Sequence, residues 1–174
     1  EQAMRGEIEY NESLRRRVGL LKGLDESALK RVYDERLKLS PGAEVMLAAA
    51  KKHGIKTLLV SGGFTHVTSL LQPRLGLDYT CANTLAVENG KLTGDIIGRI
   101  VNSDAKRDEL IRVRDALGIR KEQIIGMGDG ANDLKFMAEC GVSVAYHAKP
   151  IVRGQTTHAV NFGGLDCVVN LFQR

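Results

Sequence analysis

Gln123-Ile124-Ile125-Gly126-Met127-Gly128-Asp129-Gly130-Ala131-Asn132-Asp133 runs from a short apolar segment through a glycine turn into the helical pattern Leu134-Lys135-Phe136-Met137. A short apolar run bounded by turn residues reads as a buried strand, and the glycines after it redirect the chain into a helix. Open α/β sheets bind ligands outside the carboxyl ends of their strands. This stretch puts two carboxylates there, Asp129 and Asp133. Such a pair suits a hard cation: Mg²⁺ takes few protein carboxylates and keeps several waters, so one aspartate can ligate it while the other holds its water shell. The same residues also read as a plain βα turn in which Asp133 favours the helix N-terminus. The rest of the chain decides between the two.

Outward from that turn, strands and helices alternate. Ser40-Pro41-Gly42 punctuates the chain ahead of a helix over 43–53, with Pro41 suited to its first turn. A buried strand over 56–60 ends at Ser61-Gly62-Gly63, followed by a helix over 65–75 and a strand over 79–82. Residues 85–94 alternate around Asn89-Gly90, a strong hairpin signal, and predict a small antiparallel flap. A polar amphipathic helix follows over 104–117, then the central strand 124–127, a helix over 131–140, a strand over 142–146, a last short strand near 159–161 and a closing helix near 165–172. Strands separated by helices predict an α/β fold with a parallel, doubly wound sheet. Residues 1–38 differ: they are charged, helical and without strands, with helices over 3–21, broken near Asn11-Glu12-Ser13, and over 28–37 behind a cap at Leu24-Asp25-Glu26-Ser27. A domain boundary is therefore expected between 1–38 and 39–174.

Composition narrows the function. The chain has 174 residues, 43% of them apolar, which is enough for a core. Its net charge of +4 is mild and dispersed except at Arg15-Arg16-Arg17, and suits a small anionic substrate. With no Trp and only four Phe and four Tyr, the aromatic and basic interleaving of a single-strand nucleic-acid binder is missing. Cys81, Cys140 and Cys167 show no paired spacing and read as reduced thiols of a cytoplasmic protein. No apolar run approaches the ~18 residues of a membrane span, and residues 1–5 do not look like a signal peptide.

Two more features fall at the ends of sheet elements. Ser61-Gly62-Gly63 offers a hydroxyl and backbone N–H groups ahead of a helix, an arrangement that binds anions or simply caps the helix. Lys106 stands near the start of a helix, where a cation opposes the dipole. It is either a solvated surface lysine or a point charge for a phosphoryl group.

Together with the paired aspartates, these residues make the chain resemble the haloacid dehalogenase-like phosphohydrolases, and among them the members that hydrolyse O-phosphoserine. The resemblance rests on Ser61-Gly62-Gly63-Phe64, Ala105-Lys106, Gly128-Asp129-Gly130-Ala131-Asn132-Asp133 and Ala145-Tyr146-His147-Ala148-Lys149-Pro150. Ala3-Met4-Arg5-Gly6-Glu7 and Ser13-Leu14-Arg15-Arg16-Arg17-Val18 are similar to that family's helical cap. It implies a Rossmann-like core over 39–174, a partial helical cap over 1–38 and Mg²⁺-dependent release of phosphate from O-phosphoserine at the end of serine biosynthesis. Ser61 and the Gly62 amide would hold phosphoryl oxygens, Lys106 would balance their charge, and Asn132 would touch the substrate side of the pocket. Asp129 would bind Mg²⁺, with Asp133 supporting it from behind. Arg17 would grip the substrate carboxylate, a group its guanidinium matches bidentately, although three consecutive arginines on a helix also suit a solvated face. Met4 and Tyr10 would line the apolar side of the cap. A homodimer is one open assembly; nucleic acid and membrane are not expected partners.

The family's first motif, Asp-x-Asp at the end of a first strand, supplies its nucleophile and general acid, and no such spacing occurs here. The nucleophile is accordingly expected upstream of Glu1, on a central strand whose place would be an open slot between the strands 56–60 and 124–127. Two other readings stay open: a phosphatase or phosphotransferase for another small phosphomonoester, and a truncated, non-catalytic binding module.

Overall fold

The computed structural model describes residues 7–172, without the side chains of Glu7 and Ile8. Met4 lies outside the described residues. In chain order the elements are α1 (Glu7–Gly19), α2 (Ser27–Arg36), α3 (Ala43–Lys52), β1 (Leu58–Phe64), α4 (Thr65–Leu75), β2 (Tyr79–Glu88), β3 (Lys91–Ile97), α5 (Ser103–Leu117), β4 (Ile125–Gly128), α6 (Leu134–Met137), β5 (Val142–Tyr146), α7 (Pro150–Arg153) and β6 (His158–Val160). Short 3₁₀ segments lie at Ala131–Asp133 and Leu165–Leu171. No helix among the described residues is long and apolar enough to cross a membrane. The chain divides into two compact units: residues up to Lys38 with Leu59–Asn102, and Leu39–Leu58 with the chain from Ser103 onward. Residues 59–102 thus group with the opening helices.

The first unit holds a three-stranded sheet in the order β1-β2-β3. β2 and β3 form the expected antiparallel hairpin, with Glu88 opposite Lys91 and Val87 opposite Leu92. Both central turn residues have positive φ, 51° at Asn89 and 74° at Gly90, the primed turn whose twist matches paired strands. The strands predicted as separate pieces are one strand, β2, with an irregularity between Leu85 and Val87. The outer edge of β3 is occupied by the chain after α1: Gly23 N–H donates to Leu92 O, Leu92 N–H to Leu24 O, and Glu26 N–H to Gly90 O.

Against this sheet α1 buries Leu14 and Val18, four residues apart on one helix face, among Leu85, Leu92, Ile96 and Ile100. The helix break expected at Asn11-Glu12-Ser13 does not occur. Asn11 stays helical and its Oδ1 accepts a hydrogen bond from Asn102 Nδ2 at 3.3 Å, so its amide finds a partner without leaving the helix. At α2 the N-cap residue Glu26 makes no side-chain capping bond, and the residue before it, Asp25, accepts the Ser27 N–H on Oδ1 at 2.9 Å. Hydrogen bonds from Ser27, its side chain first and its backbone second, hold the Asp25 carboxyl below its ordinary range.

The second unit carries the parallel sheet β4-β5-β6, with Ile125 beside Val142, Met127 beside Val144 and Ala145 beside Ala159. The crossover between β4 and β5 passes through α6, which is shorter than predicted because Ala131–Asp133 winds as a 3₁₀ turn. Gly126 lets α6 close on β4: a Cβ there would lie 2.5 Å from Cys140 Sγ and 3.3 Å from the Phe136 ring. Met46 of α3, Val144 of β5 and Val168 of the closing 3₁₀ segment make the core of this unit. That last segment was expected as an α-helix. Strands β1 and β4, expected on either side of an open slot, belong to separate three-stranded sheets.

Candidate active site

In the second unit, the sequence Gly128-Asp129-Gly130-Ala131-Asn132-Asp133 folds around one carboxylate. Lys106 Nζ, rising from α5, donates to Asp133 Oδ1 at 2.7 Å. Lys106 and Asp133 are each only 6% exposed. The other oxygen of Asp133 accepts two backbone amides, Asp129 N–H at 3.2 Å and Gly130 N–H at 3.3 Å. A carboxylate that accepts an ammonium and two amides has both oxygens engaged, and charge-assisted bonds of this kind are the strong ones. Asp133 thereby fixes the turn that carries Asp129.

Glycine is demanded by contact within this turn. A Cβ at Gly128 would lie 2.5 Å from Asp133 Cβ, and one at Gly130 would overlap Asn132 Oδ1. Asn132 therefore leans over the Gly130 backbone. Asp129 is exposed, and no hydrogen bond or ion pair engages its carboxylate among the described residues. One exposed carboxylate on a turn braced from behind fits a cation that keeps most of its waters. Asp129 could hold such a cation, and Asp133, whose oxygens are both engaged by Lys106 and the two amides, could orient it from behind.

In the first unit, Ser61, Gly62 and Gly63 lie within β1, which stays extended to Phe64 (φ −124°, ψ 147°) before α4 begins at Thr65. The helix begins at Thr65 as expected, but the strand that sequence reasoning ended at Val60 runs on through Ser61-Gly62-Gly63 to Phe64. The cause is Asn83 of β2, buried to 1% exposure. Its Nδ2 donates to Gly62 O at 2.9 Å and to Gly63 O at 3.3 Å, and its Oδ1 accepts Val101 N–H at 2.8 Å. These bonds hold both glycine carbonyls against the neighbouring strand. Ser61 Oγ accepts the Gly63 N–H at 2.9 Å. Tyr10 of α1 brings its hydroxyl so near Gly62 that a Cβ there would be 2.5 Å away.

Arg15, Arg16 and Arg17 are all exposed on α1. Arg16 pairs with Glu12 at 3.6 Å and Arg17 Nε donates to Ser13 O at 3.4 Å. Of the residues singled out from sequence, Lys106, Asp129, Asn132 and Asp133 come together in the second unit. In the first, Gly62, next to Ser61 in the chain, meets Tyr10. Asn83 was missed, although a lone amide in an apolar strand, two residues from the inward Leu85, was a legible sign of a buried polar role.

Residues 3–138 match the family model of the haloacid dehalogenase-like hydrolases. The chain belongs to that family. It is 49% identical, over 99% of its length and 75% of the relative's, to the phosphoserine phosphatase of Albidiferax ferrireducens. It is 51% identical to that of Polaromonas sp., over 98% of this chain and 75% of the relative. Among solved structures it superposes with a TM-score of 0.92 on a probable phosphoserine phosphatase from Vibrio cholerae, at 40% identity over 99% of this chain. The chain spans 53% of the length of that structure.

Proposed function

We propose that the chain belongs to an enzyme that hydrolyses O-phosphoserine to serine and phosphate. The observation that carries this is the braced turn, in which Lys106 and two amides engage both oxygens of Asp133 while Asp129 stays exposed. Identity of about half, spread over nearly the whole chain, to proteins that bear the name phosphoserine phosphatase supports the choice of substrate.

Ser61 and the Gly62 amide are proposed to bind phosphoryl oxygens, Lys106 to offset the phosphoryl charge and Asn132 to face the substrate. Arg17 is proposed for the substrate carboxylate. Asp129 would hold Mg²⁺, which would supply charge stabilisation for the transferring group. In this family the phosphoryl group passes to an aspartate, and water then hydrolyses the acyl phosphate. No Asp-x-Asp pair occurs in residues 1–174, so none of them is assigned as the attacking carboxylate. A cytoplasmic setting belongs to the same proposal.

The test is phosphate release by the full-length protein from O-phosphoserine and from sugar and nucleotide monophosphates, with wild type and Arg17→Ala compared. Preference for O-phosphoserine, lost mainly through a raised KM in Arg17→Ala, is the expected result. Equal turnover of the other monoesters would overturn the substrate assignment.

A further inference from the structure

We infer that Asn83 is a positioning residue for phosphate binding, acting through the Gly62-Gly63 peptide on the hydroxyl of Ser61. The inference rests on the reading of Ser61 as a phosphoryl-binding group. At 1% exposure Asn83 is sealed from any ligand, so it can act only through its neighbours. Its amide orientation follows from those neighbours, because Oδ1 faces the Val101 N–H while Nδ2 faces two carbonyls.

A trans peptide holds its C=O and N–H on opposite sides. Drawing Gly62 O toward Asn83 therefore turns the Gly63 N–H the other way, where it donates to Ser61 Oγ at 2.9 Å. A serine hydroxyl that accepts such a bond directs its proton elsewhere, free to donate to an anion. Linked hydrogen bonds also polarise one another, so donation by Asn83 to Gly62 O strengthens the next bond in line. Glycine at both positions carries no side chain that would compete with this arrangement. Without Asn83 the peptide can rotate, and Ser61 loses the contact that orients its hydroxyl.

Asn83→Asp in the full-length protein separates the two ends of the amide. The new carboxylate still accepts the Val101 N–H but opposes the carbonyls of Gly62 and Gly63. Inhibition by inorganic phosphate should weaken about tenfold, the size expected for a lost bond to a charged group, and KM for O-phosphoserine should rise with it. In a Ser61→Ala background the same substitution should add nothing, since residues acting as one unit are non-additive. A purely structural role would lower the melting temperature and add its full effect to Ser61→Ala.

A wild-type measurement covers the case in which Asn83→Asp does not fold. Titrating inorganic phosphate should shift the NMR signals of the Asn83 side-chain amide and the Gly63 amide along one binding curve, and Ser61→Ala should abolish both shifts. Unchanged phosphate inhibition in folded Asn83→Asp, or Asn83 signals that ignore phosphate, would overturn the inference while Ser61 stands. Wild-type phosphate binding by Ser61→Ala would instead overturn the assignment of Ser61.

Discussion

The ammonium of Lys106 lies 2.7 Å from Oδ1 of Asp133, and both side chains are more than nine-tenths buried. Removing one partner of a buried pair strands the other charge, at about 3–5 kcal/mol. Lys106→Met should therefore destabilise the full-length protein by about that amount in urea unfolding. Adding Asp133→Asn should recover part of the loss, because a neutral amide oxygen can still accept the Asp129 N–H without carrying an unpaired charge.

Asp133 also accepts the amides of the turn that bears Asp129. Asp133→Ala should weaken Mg²⁺ binding by about 10–100-fold, the range for groups that orient a metal ligand. Isothermal calorimetry on the full-length protein reads this directly. Asp129→Asn should cost at least as much, and the opposite ranking would mean that Asp133 is itself the ligand.

Gly62 is pressed by a hydroxyl. Gly62→Ala would bring a methyl group to about 2.5 Å from Tyr10 Oη, and activity should fall. Tyr10→Phe removes the colliding oxygen, so the double variant should regain part of the lost kcat/KM. If Tyr10→Phe rescues nothing, the close approach of α1 to Gly62 is not what excludes the side chain.

Burial pushes the Cys140 thiol up from near 9 to about 12. A raised acid pKa keeps the folded thiol neutral while the unfolded one ionises, so its contribution to stability is complete below about pH 9 and is lost as pH rises toward about 12. At pH 8 Cys140 should resist alkylation in the native protein and react once it is unfolded, whereas exposed Cys167 should react in both states. Mass spectrometry of the alkylated peptides distinguishes them.

The sequence was most legible where one residue type has one physical use. Asn89-Gly90 specified its turn because few other pairs tolerate positive φ at two successive positions. Gly126 to Asp133 announced a strand and a turn because only glycine clears Cys140 and Asp133. Long-range partners were not legible. Asn11 looked like a helix breaker because its partner, Asn102, lies ninety-one residues away. Ser61-Gly62-Gly63 looked like the end of a strand because Asn83, which keeps it extended, sits on another strand. The short 3₁₀ turn at Ala131–Asp133 escaped notice for a related reason: its winding follows the hydrogen bonds of Asp133, which local periodicity does not record.

The segment from Gly23 to Glu26 lies along β3 and takes up its backbone groups at Gly90 and Leu92. An uncovered outer strand invites another chain to pair with it. Here a newcomer must first peel away four residues tied between α1 and α2. In a crowded solution that fastening guards the hairpin against strand exchange, so a variant that loosened Gly23 or Leu24 would show its defect as aggregation before any loss of chemistry.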